Sequence, residues 1–294
     1  MKRKLIKHGD SSLTLALPKA WVDEFRLKKG QEVDVDFQKD DLVVKAKPAK
    51  EEEALTIDVS NQGKAVRKIL GAAYKSGYDE VRIIYSTSEE LKEIQNLLSE
   101  QFIGFQTISQ SKDSLTIRNL LGNDFSDFPA VLRRFFHIIS NLGDEVCEAA
   151  GKRDSDWLKQ LSLSKRETDR LADFLRRALN RNYHPIEFKR NIPLYTIVEQ
   201  SEKIANTYSE LANYLSNHEI GKDSLKTLAE INQFLKRFSE LLFGFDIRKM
   251  RQFIDQVGRL ELAKKSMDKT LLLYYDRIIS LVLGMNGPLM ATYI

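Results

Sequence analysis

The chain has 294 residues, of which 42% are hydrophobic and 30% charged, and its formal net charge is +4. A chain of this length exceeds one ordinary core, so two or more domains are expected. It contains no apolar run of about 18 residues, which excludes a membrane-spanning helix. Its single cysteine, Cys147, excludes an internal disulfide and favours a cytoplasmic location.

The first 48 residues are predicted to form a small β-rich domain. Apolar residues recur with period two in two short segments, and Pro18 is well placed to begin a helix. The predicted strands and helix are Lys4–Lys7, Leu13–Leu17, the helix Lys19–Phe25, and the hairpin Glu32–Phe37 with Asp41–Lys45. Because so few apolar side chains form a marginal core, we expect this domain to dimerise.

These residues also resemble a known family. The segment Gly9-Asp-Ser-Ser-Leu-Thr-Leu-Ala-Leu-Pro-Lys-Ala-Trp21, followed by Leu27-Lys-Lys-Gly30 and the hairpin, is similar to AbrB/MazE/SpoVT domains. The resemblance covers nearly all of residues 2–47. It implies a swapped-hairpin β-barrel dimer that binds DNA. Gln31 departs from the family pattern, which usually has Asp there, but it lies in a turn.

Cationic and hydroxyl side chains cluster around the first strand and the start of the first helix. The predicted DNA-binding residues are Lys2, Arg3, Lys4, Lys7, His8, Ser11, Ser12 and Lys19. Their cations can neutralise phosphates, and their hydroxyls can donate hydrogen bonds. The alternative is a solvated edge strand, in which lysines prevent aggregation. With the family resemblance, we expect these residues to contact double-stranded DNA.

A charged linker, Pro48–Glu53, precedes a second predicted domain at 54–120. Strands and helices alternate there, which predicts a small α/β sandwich. Its predicted elements are the strands Leu55–Val59 and Asp79–Tyr85, the helices Gly63–Ser76 and Ser88–Glu100, and a closing hairpin of Phe102–Ser109 with Ser114–Ile117. Ser88 is the predicted cap of the second helix. The segment carries neither a Gly-rich phosphate loop nor a nucleophile motif, so the sequence indicates no activity for it.

The third predicted domain, 121–294, has a hydrophobic period of 3.6 throughout. Six helices are predicted, at 128–151, 154–181, 193–217, 222–243, 246–266 and 268–286. Two sets of three helices with similar lengths predict an all-α bundle of two three-helix repeats.

The helix-forming run Trp157–Arg181 carries both an apolar seam and a pair of carboxylates. At about 100° per residue, Asp169 and Asp173 point roughly 130° away from the centre of the leucine seam. The sequence therefore predicts that this pair is displayed on the far side of the helix, among arginines.

This region resembles the PhoU family of phosphate-uptake regulators over about 121–290. The matching residues are Arg133-Arg-Phe-Phe136, Glu167-Thr-Asp-Arg-Leu171, the pair Asp169-x-x-x-Asp173, and Glu202-Lys-Ile-Ala-Asn206. The family's acidic motif implies a metal site for a divalent or ferric ion, with Asp169, Asp173 and Glu202 as candidate ligands. Asn206 replaces an expected carboxylate. In the second repeat, Glu261-x-x-x-Lys265 and Asp276-x-x-x-Ser280 are not complete pairs, so no second metal site is expected.

A solvated face held by pairs such as Asp173 with Arg177 is the alternative to the metal site. No cofactor is required by the sequence. A metal-dependent hydrolase that uses Asp169 and Asp173 is a further alternative, but it lacks an evident general base or nucleophile.

The order of the three segments resembles an archaeal-type phosphate regulator. We therefore expect a non-enzymatic, homodimeric, DNA-binding transcription regulator of phosphate uptake or phosphate homeostasis. Its bundle would receive the signal through a phosphate transporter or signalling protein, without membrane insertion. The main alternative is an adaptor that does not bind DNA and docks on such a transporter or sensor, with the N-terminal domain serving only for dimerisation.

Overall fold

The computed structural model describes residues 3–8, 12–38, 41–45, 54–122, 125, 127–181, 191–256 and 269–293. The chain divides into two compact units, Met1–Glu53 and Ala54–Ile294, called here the N-terminal and C-terminal units. The boundary predicted near residue 120 lies inside the C-terminal unit.

The N-terminal unit consists of two antiparallel hairpins and one short helix. Strand β1 (Leu5–His8) pairs with β2 (Ser12–Leu15), helix α1 spans Lys19–Glu24, and β3 (Asp34–Gln38) pairs with β4 (Asp41–Lys45). The two hairpins form separate two-stranded sheets within the described residues. These elements match the predicted ones to within one or two residues at most ends. The swapped barrel stays a prediction.

Among the residues of the N-terminal unit whose side chains the structure describes, none is buried. Leu5, Leu13 and Leu15 are 62%, 63% and 45% exposed. Leu5 lies opposite Leu15 in the β1–β2 register, and Leu13 lies two residues from Leu15, so the three leucines share one face. Since hairpins without a core are marginal alone, this face needs a covering partner.

The first part of the C-terminal unit, residues 54–122, is an α/β layer. Its elements are β5 (Ala54–Asp58), α2 (Ala65–Ser76), β6 (Glu80–Ile84), α3 (Ser88–Glu100), β7 (Phe105–Gln110) and β8 (Ser114–Asn119). The sheet order is β5-β6-β8-β7, with β5 and β6 parallel and the other pairs antiparallel. Alternate strand residues are buried against the two helices, as in Val81, Ile83, Leu115 and Ile117 against Val66, Leu70, Ile94 and Leu97.

Helix α3 begins at Ser88, as predicted, but its cap is Thr87. The Thr87 hydroxyl accepts a hydrogen bond from the Glu90 amide, and the Glu90 carboxylate accepts one from the Thr87 amide. This reciprocal capping box satisfies two backbone donors that the helix leaves open. The hydrogen bond from the Ser86 amide holds the pKa of the Glu90 carboxyl below its ordinary value.

The helical portion comprises the described residues from 125 to 293. Its helices are α4 (Phe128–Lys152), α5 (Ser155–Ser162), α6 (Lys165–Asn180), α7 (Asn191–Leu215), α8 (Lys222–Phe243), α9 (Ile247–Asp255), α10 (Lys269–Gly284) and α11 (Asn286–Tyr293). The predicted helices at 128–151, 193–217 and 222–243 agree closely with α4, α7 and α8. The end of the predicted helix 246–266 lies outside the described residues. In the part of the chain that is described, no helix combines the length and apolar character needed to cross a membrane.

The single helix predicted at 154–181 is wrong, because the chain breaks between α5 and α6. Ser162 and Ser164 donate their hydroxyls to the carbonyls of Lys159 and Gln160. Such local hydrogen bonds compete with the helical ladder, and here they lie where the helix ends. Leu163, between the two serines, is 75% exposed. Residue Leu161 of the predicted seam therefore belongs to α5 and the rest of the seam to α6.

Two separate apolar clusters lie within the C-terminal unit. One joins the sheet to α2 and α3, and the other joins the helices of the helical portion. Ile103 is a residue of the α/β layer that packs against the helical cluster. Helices α2 and α6 pack together between the clusters, and hydrogen bonds and an ion pair join them.

We expect the full-length protein to sediment as a dimer at micromolar concentration. Replacing Leu13 by Lys should weaken dimerisation at least about tenfold, because burying one leucine side chain contributes about 1.5–3 kcal/mol. Analytical ultracentrifugation across a concentration series measures this change. Leu163→Lys is the control, because Leu163 is 75% exposed against 63% for Leu13 but lies in the helical portion. A shift as large as that of Leu13→Lys would contradict the assignment.

Candidate functional site

The predicted DNA-binding residues lie around the β1–β2 hairpin and the start of α1. Arg3 and Lys4 precede β1, Lys7 and His8 end it, and Lys19 begins α1; all five side chains are exposed. Lys2 and Ser11 lie outside the described residues. The hairpin thus presents several cations to solvent, as electrostatic contact with phosphates requires.

Lys7, His8 and Ser12 come together at one end of this hairpin. Lys7 lies opposite Leu13 in the register and His8 opposite Ser12. Because successive strand residues alternate between faces, Lys7 shares the leucine face, whereas His8 and Ser12 lie on the other. The Ser12 hydroxyl donates a hydrogen bond to the His8 carbonyl, which closes the hairpin and leaves the hydroxyl oxygen available as an acceptor.

The charged side of α6 is buried, contrary to the sequence prediction. Asp173, Arg176 and Arg177 are only 2%, 2% and 1% exposed. The reason is that α2 packs against Asp173 and Arg177 and α7 packs against Arg176, while Leu171 and Leu175 enter the helical cluster. Periodicity assigns a charged face to solvent, but charges can be buried when they are paired and hydrogen-bonded.

Asp173 connects α6 to both helices of the α/β layer. The Gln101 side-chain amide donates to Asp173 Oδ2 at 2.6 Å. Arg176 Nη1 and Lys75 Nζ lie 3.0 Å and 3.5 Å from Asp173 Oδ1. Both carboxylate oxygens therefore have protein partners.

Arg176 fills the space between the carboxylates of α6 and α7. Its Nη2 lies 2.9 Å from Glu199 Oε2 and also donates to Glu202. Burial alone would lower the pKa of the Arg176 guanidinium, but the hydrogen bond and charge of Glu202 raise it above its ordinary value. The guanidinium is therefore a fixed positive charge among these acids.

The metal site predicted at Asp169, Asp173 and Glu202 does not fit this arrangement. Arg176 occupies the position between Asp173 and Glu202 that a cation would need, and like charges repel. Within the described residues, no group of three or more potential ligands is arranged to hold a metal ion. Glu261 and Lys265 of the second motif lie outside the described residues.

Asp169 lies one turn before Asp173, in surroundings that disfavour the ionised form of its carboxyl group. Burial, together with the charge of Glu202, raises the pKa of Asp169 to about 6. Its ionised form is therefore less stable in the folded protein than in the unfolded chain at neutral pH.

Arg177 is the most deeply buried cation of this region. Its Nη1 donates to the carbonyls of Tyr74 and Tyr78 at 3.0 Å and 2.8 Å, and its Nη2 donates to Asp79 Oδ1 at 3.1 Å. The guanidinium carbon lies 5.3 Å and 4.9 Å from the ring centroids of Tyr74 and Phe105. Burial lowers the pKa of Arg177, and the carbonyls, the carboxylate and the ring faces offset part of its desolvation.

Arg181 completes the contact one turn later. Its Nη2 lies 2.8 Å from Asp79 Oδ2, an ion contact without an aligned hydrogen bond, and its Nη1 donates to the Gly77 carbonyl at 3.2 Å. Gly77 ends α2 with φ +99, and a Cβ there would lie 2.7 Å from Arg181 Cδ. We call Lys75, Asp79 and Gln101, with Asp173, Arg177 and Arg181, the polar junction.

The α/β side of this junction is not predicted by the sequence. Asp79 and Gln101 follow helices as ordinary polar loop residues, and no local pattern distinguishes them. Arg177 was identified only as part of a charged face. Helix α6 combines low mean hydropathy with an apolar seam, which indicates an unusually charged face. This pattern does not identify the residues that pair with that face.

Replacing Asp169 by Asn should stabilise the protein at pH 7.5 by about 1–2 kcal/mol, because the raised pKa reflects a penalty on the charged form. The penalty is present above the folded-state pKa of about 6 and disappears toward the unfolded value. The difference between variant and wild type should therefore shrink as the pH falls from 7 to 4. Urea unfolding at several pH values measures it.

Glu167→Gln is the control for Asp169→Asn, because Glu167 is exposed and pairs with Arg134 on the surface. That change should stay within about 0.5 kcal/mol of wild type at all pH values. Destabilisation by Asp169→Asn at pH 7.5 would show that the Asp169 charge is favourable instead.

Replacing Gly77 by Ala should destabilise the protein by about 1–3 kcal/mol, because the left-handed backbone and the arginine stem both oppose a side chain. Gly71→Ala is the matched control. Gly71 lies within α2 with open space around its Cβ position, so the change should be neutral or stabilising. Thermal unfolding of both variants checks the pair, and equal effects would refute the role given to Gly77.

Comparison with known families identifies the N-terminal domain. The family model described as antidote-toxin recognition MazE, bacterial antitoxin, matches residues 6–53. No curated protein and no solved structure matches the chain. The matched segment ends at the linker, so the PhoU resemblance has no support from these comparisons. The chain therefore carries an N-terminal domain of MazE/AbrB type, and domains of this type bind DNA and dimerise.

Proposed function

We propose that this protein is a DNA-binding transcription regulator that acts as a homodimer. The observation that carries the proposal is the MazE-type match over residues 6–53, which includes the cationic β1–β2 hairpin. The exposed leucine face supports dimerisation, because it has no cover within the described N-terminal unit. Two copies would present two hairpin ends, each with Lys7, His8 and Ser12, to a duplex.

The cations and the hydroxyl at the hairpin end have distinct expected roles. Arg3, Lys4, Lys7 and Lys19 contact phosphates, which fixes position without reading sequence. His8 and Ser12 share the face opposite the leucines, so they are the candidates for contact with base edges. Lys2 precedes Arg3 and Ser11 precedes Ser12 in the sequence, and both belong to the same proposed surface.

For the C-terminal unit we propose a signal-receiving role in phosphate uptake or phosphate homeostasis. Its support is the resemblance of Glu167–Leu171 and of the surrounding helices to the PhoU family. The signal would come from a phosphate transporter or signalling protein rather than from a metal, because Arg176 takes the place of a cation. We assign the protein no enzymatic activity.

One observation favours the adaptor as a second candidate. Lys7 shares the face of Leu5 and Leu13, so a dimer that covers this face places Lys7 next to its interface. If the interface also covered the neighbouring cations, the N-terminal domain would serve for dimerisation alone.

DNA binding is tested by titrating a labelled duplex with full-length protein at several salt concentrations. The affinity should fall with salt at a log–log slope of about −4 to −7, because each neutralised phosphate contributes about −0.9. Lys7→Ala should make the slope shallower by up to about two and weaken all sequences alike, since each dimer loses two cations.

Lys112→Ala is the control, because Lys112 is an exposed lysine in the turn between β7 and β8 of the C-terminal unit. It should leave the slope unchanged. Undetectable binding at low salt, or a slope near zero, would favour the adaptor. The phosphate role is tested separately, by capturing bound chromosomal fragments from cells grown with and without phosphate; identical occupancy would count against it.

A further inference from the structure

We propose that the α/β layer is a docked module that separates from the helical portion at the polar junction while both keep their folds. This inference concerns the C-terminal unit alone and does not depend on what the N-terminal domain binds. The α/β layer and the helical portion each have their own apolar cluster. Two cores that do not merge can stay folded when the contact between them opens.

The contact across the junction is made mostly by charges and hydrogen bonds. Arg177 and Arg181 hold Asp79 together with the carbonyls of the α2–β6 turn, and Gln101 and Lys75 hold Asp173. At the rim, the Asn180 amide donates to the Lys75 carbonyl at 2.8 Å, and the Arg166 guanidinium lies 3.4 Å from Glu100. Ile103 adds a limited apolar contact.

The free-energy cost of opening such a polar contact differs from that of opening an apolar core. Separated apolar surfaces gain nothing from water, whereas separated ions regain their hydration, which offsets the lost pairing. Contacts between domains that are small and polar therefore resemble transient interfaces, for which relative motion is the expected behaviour. The geometry points to an opening in which Asp79 leaves Arg177 and Arg181.

The contacts of Asp79 and Arg177 define which residues move together when the junction opens. Asp79 precedes β6, and its carbonyl accepts the Asn119 amide at 2.8 Å, so it moves with the sheet. Arg177 and Arg181 lie on and directly after α6, so they stay with the helical portion. A ligand or partner that binds the open arrangement more tightly than the docked one would shift this equilibrium, which makes the junction a switch element.

Hydrogen exchange of the full-length protein, followed by mass spectrometry, tests this inference with Asp79→Asn. The change removes the negative charge between two buried arginines. Peptides that cover the α2–β6 turn, 74–80, should exchange at least about tenfold faster, because this turn loses the arginine donors that hold its carbonyls when the junction opens. Peptides from the two cores, 110–118 and 204–215, should exchange at the wild-type rate.

Glu210→Gln is the matched control, because it removes an ion pair with Arg277 at 2.7 Å that lies wholly inside the helical portion. It should leave the junction peptides unchanged. If Asp79→Asn does not fold, Gln101→Ala gives the milder test, since it removes the hydrogen bond to Asp173 and keeps every charge. Equal acceleration of junction and core peptides would show that the two parts unfold together, and no acceleration in either variant would show a rigid contact; either result would overturn the proposal.

Discussion

The buried guanidinium of Arg177 constrains both halves of the C-terminal unit. A cation with almost no access to water is stable only where fixed dipoles and charges replace its hydration. Here the replacements are the carbonyls of Tyr74 and Tyr78 and the carboxylate of Asp79, so three consecutive features of the α/β layer must converge on one side chain of α6. In the docked arrangement, the end of α2, the turn after it and the residue before β6 are therefore held in register with α6.

Much of α6 could be predicted from sequence, but the environment of its charged side could not. The spacing of Leu171, Leu175 and Leu179 predicts the buried seam, and the structure confirms it. The same periodicity assigns Asp173 to solvent, and the structure buries it. The difference arises because Gln101 and Asp79 come from distant parts of the chain, and a helical wheel contains no information about such partners.

The start or end of a helix could be predicted from sequence where a single local interaction determines it. The start of α3 followed from polar capping residues, although Thr87 rather than Ser88 forms the capping box with Glu90. The break after Ser162 was missed because helix propensity and hydrophobic period both continue through it. In the N-terminal unit, the period-two alternation of apolar residues predicts the strands. The exposed leucine face needs a second surface to become a core, and the sequence does not identify that surface.

The stem of Arg181 against Gly77 also affects how the sequence can change over generations. The two residues are 104 positions apart, yet the glycine leaves room for the arginine, and the arginine binds the glycine carbonyl. A larger residue at position 77 is tolerated only after the arginine has been lost, and losing the arginine first removes one partner of Asp79. In related chains, positions 77 and 181 should therefore change together. Such joint substitution would reveal the contact between them, which no local motif does.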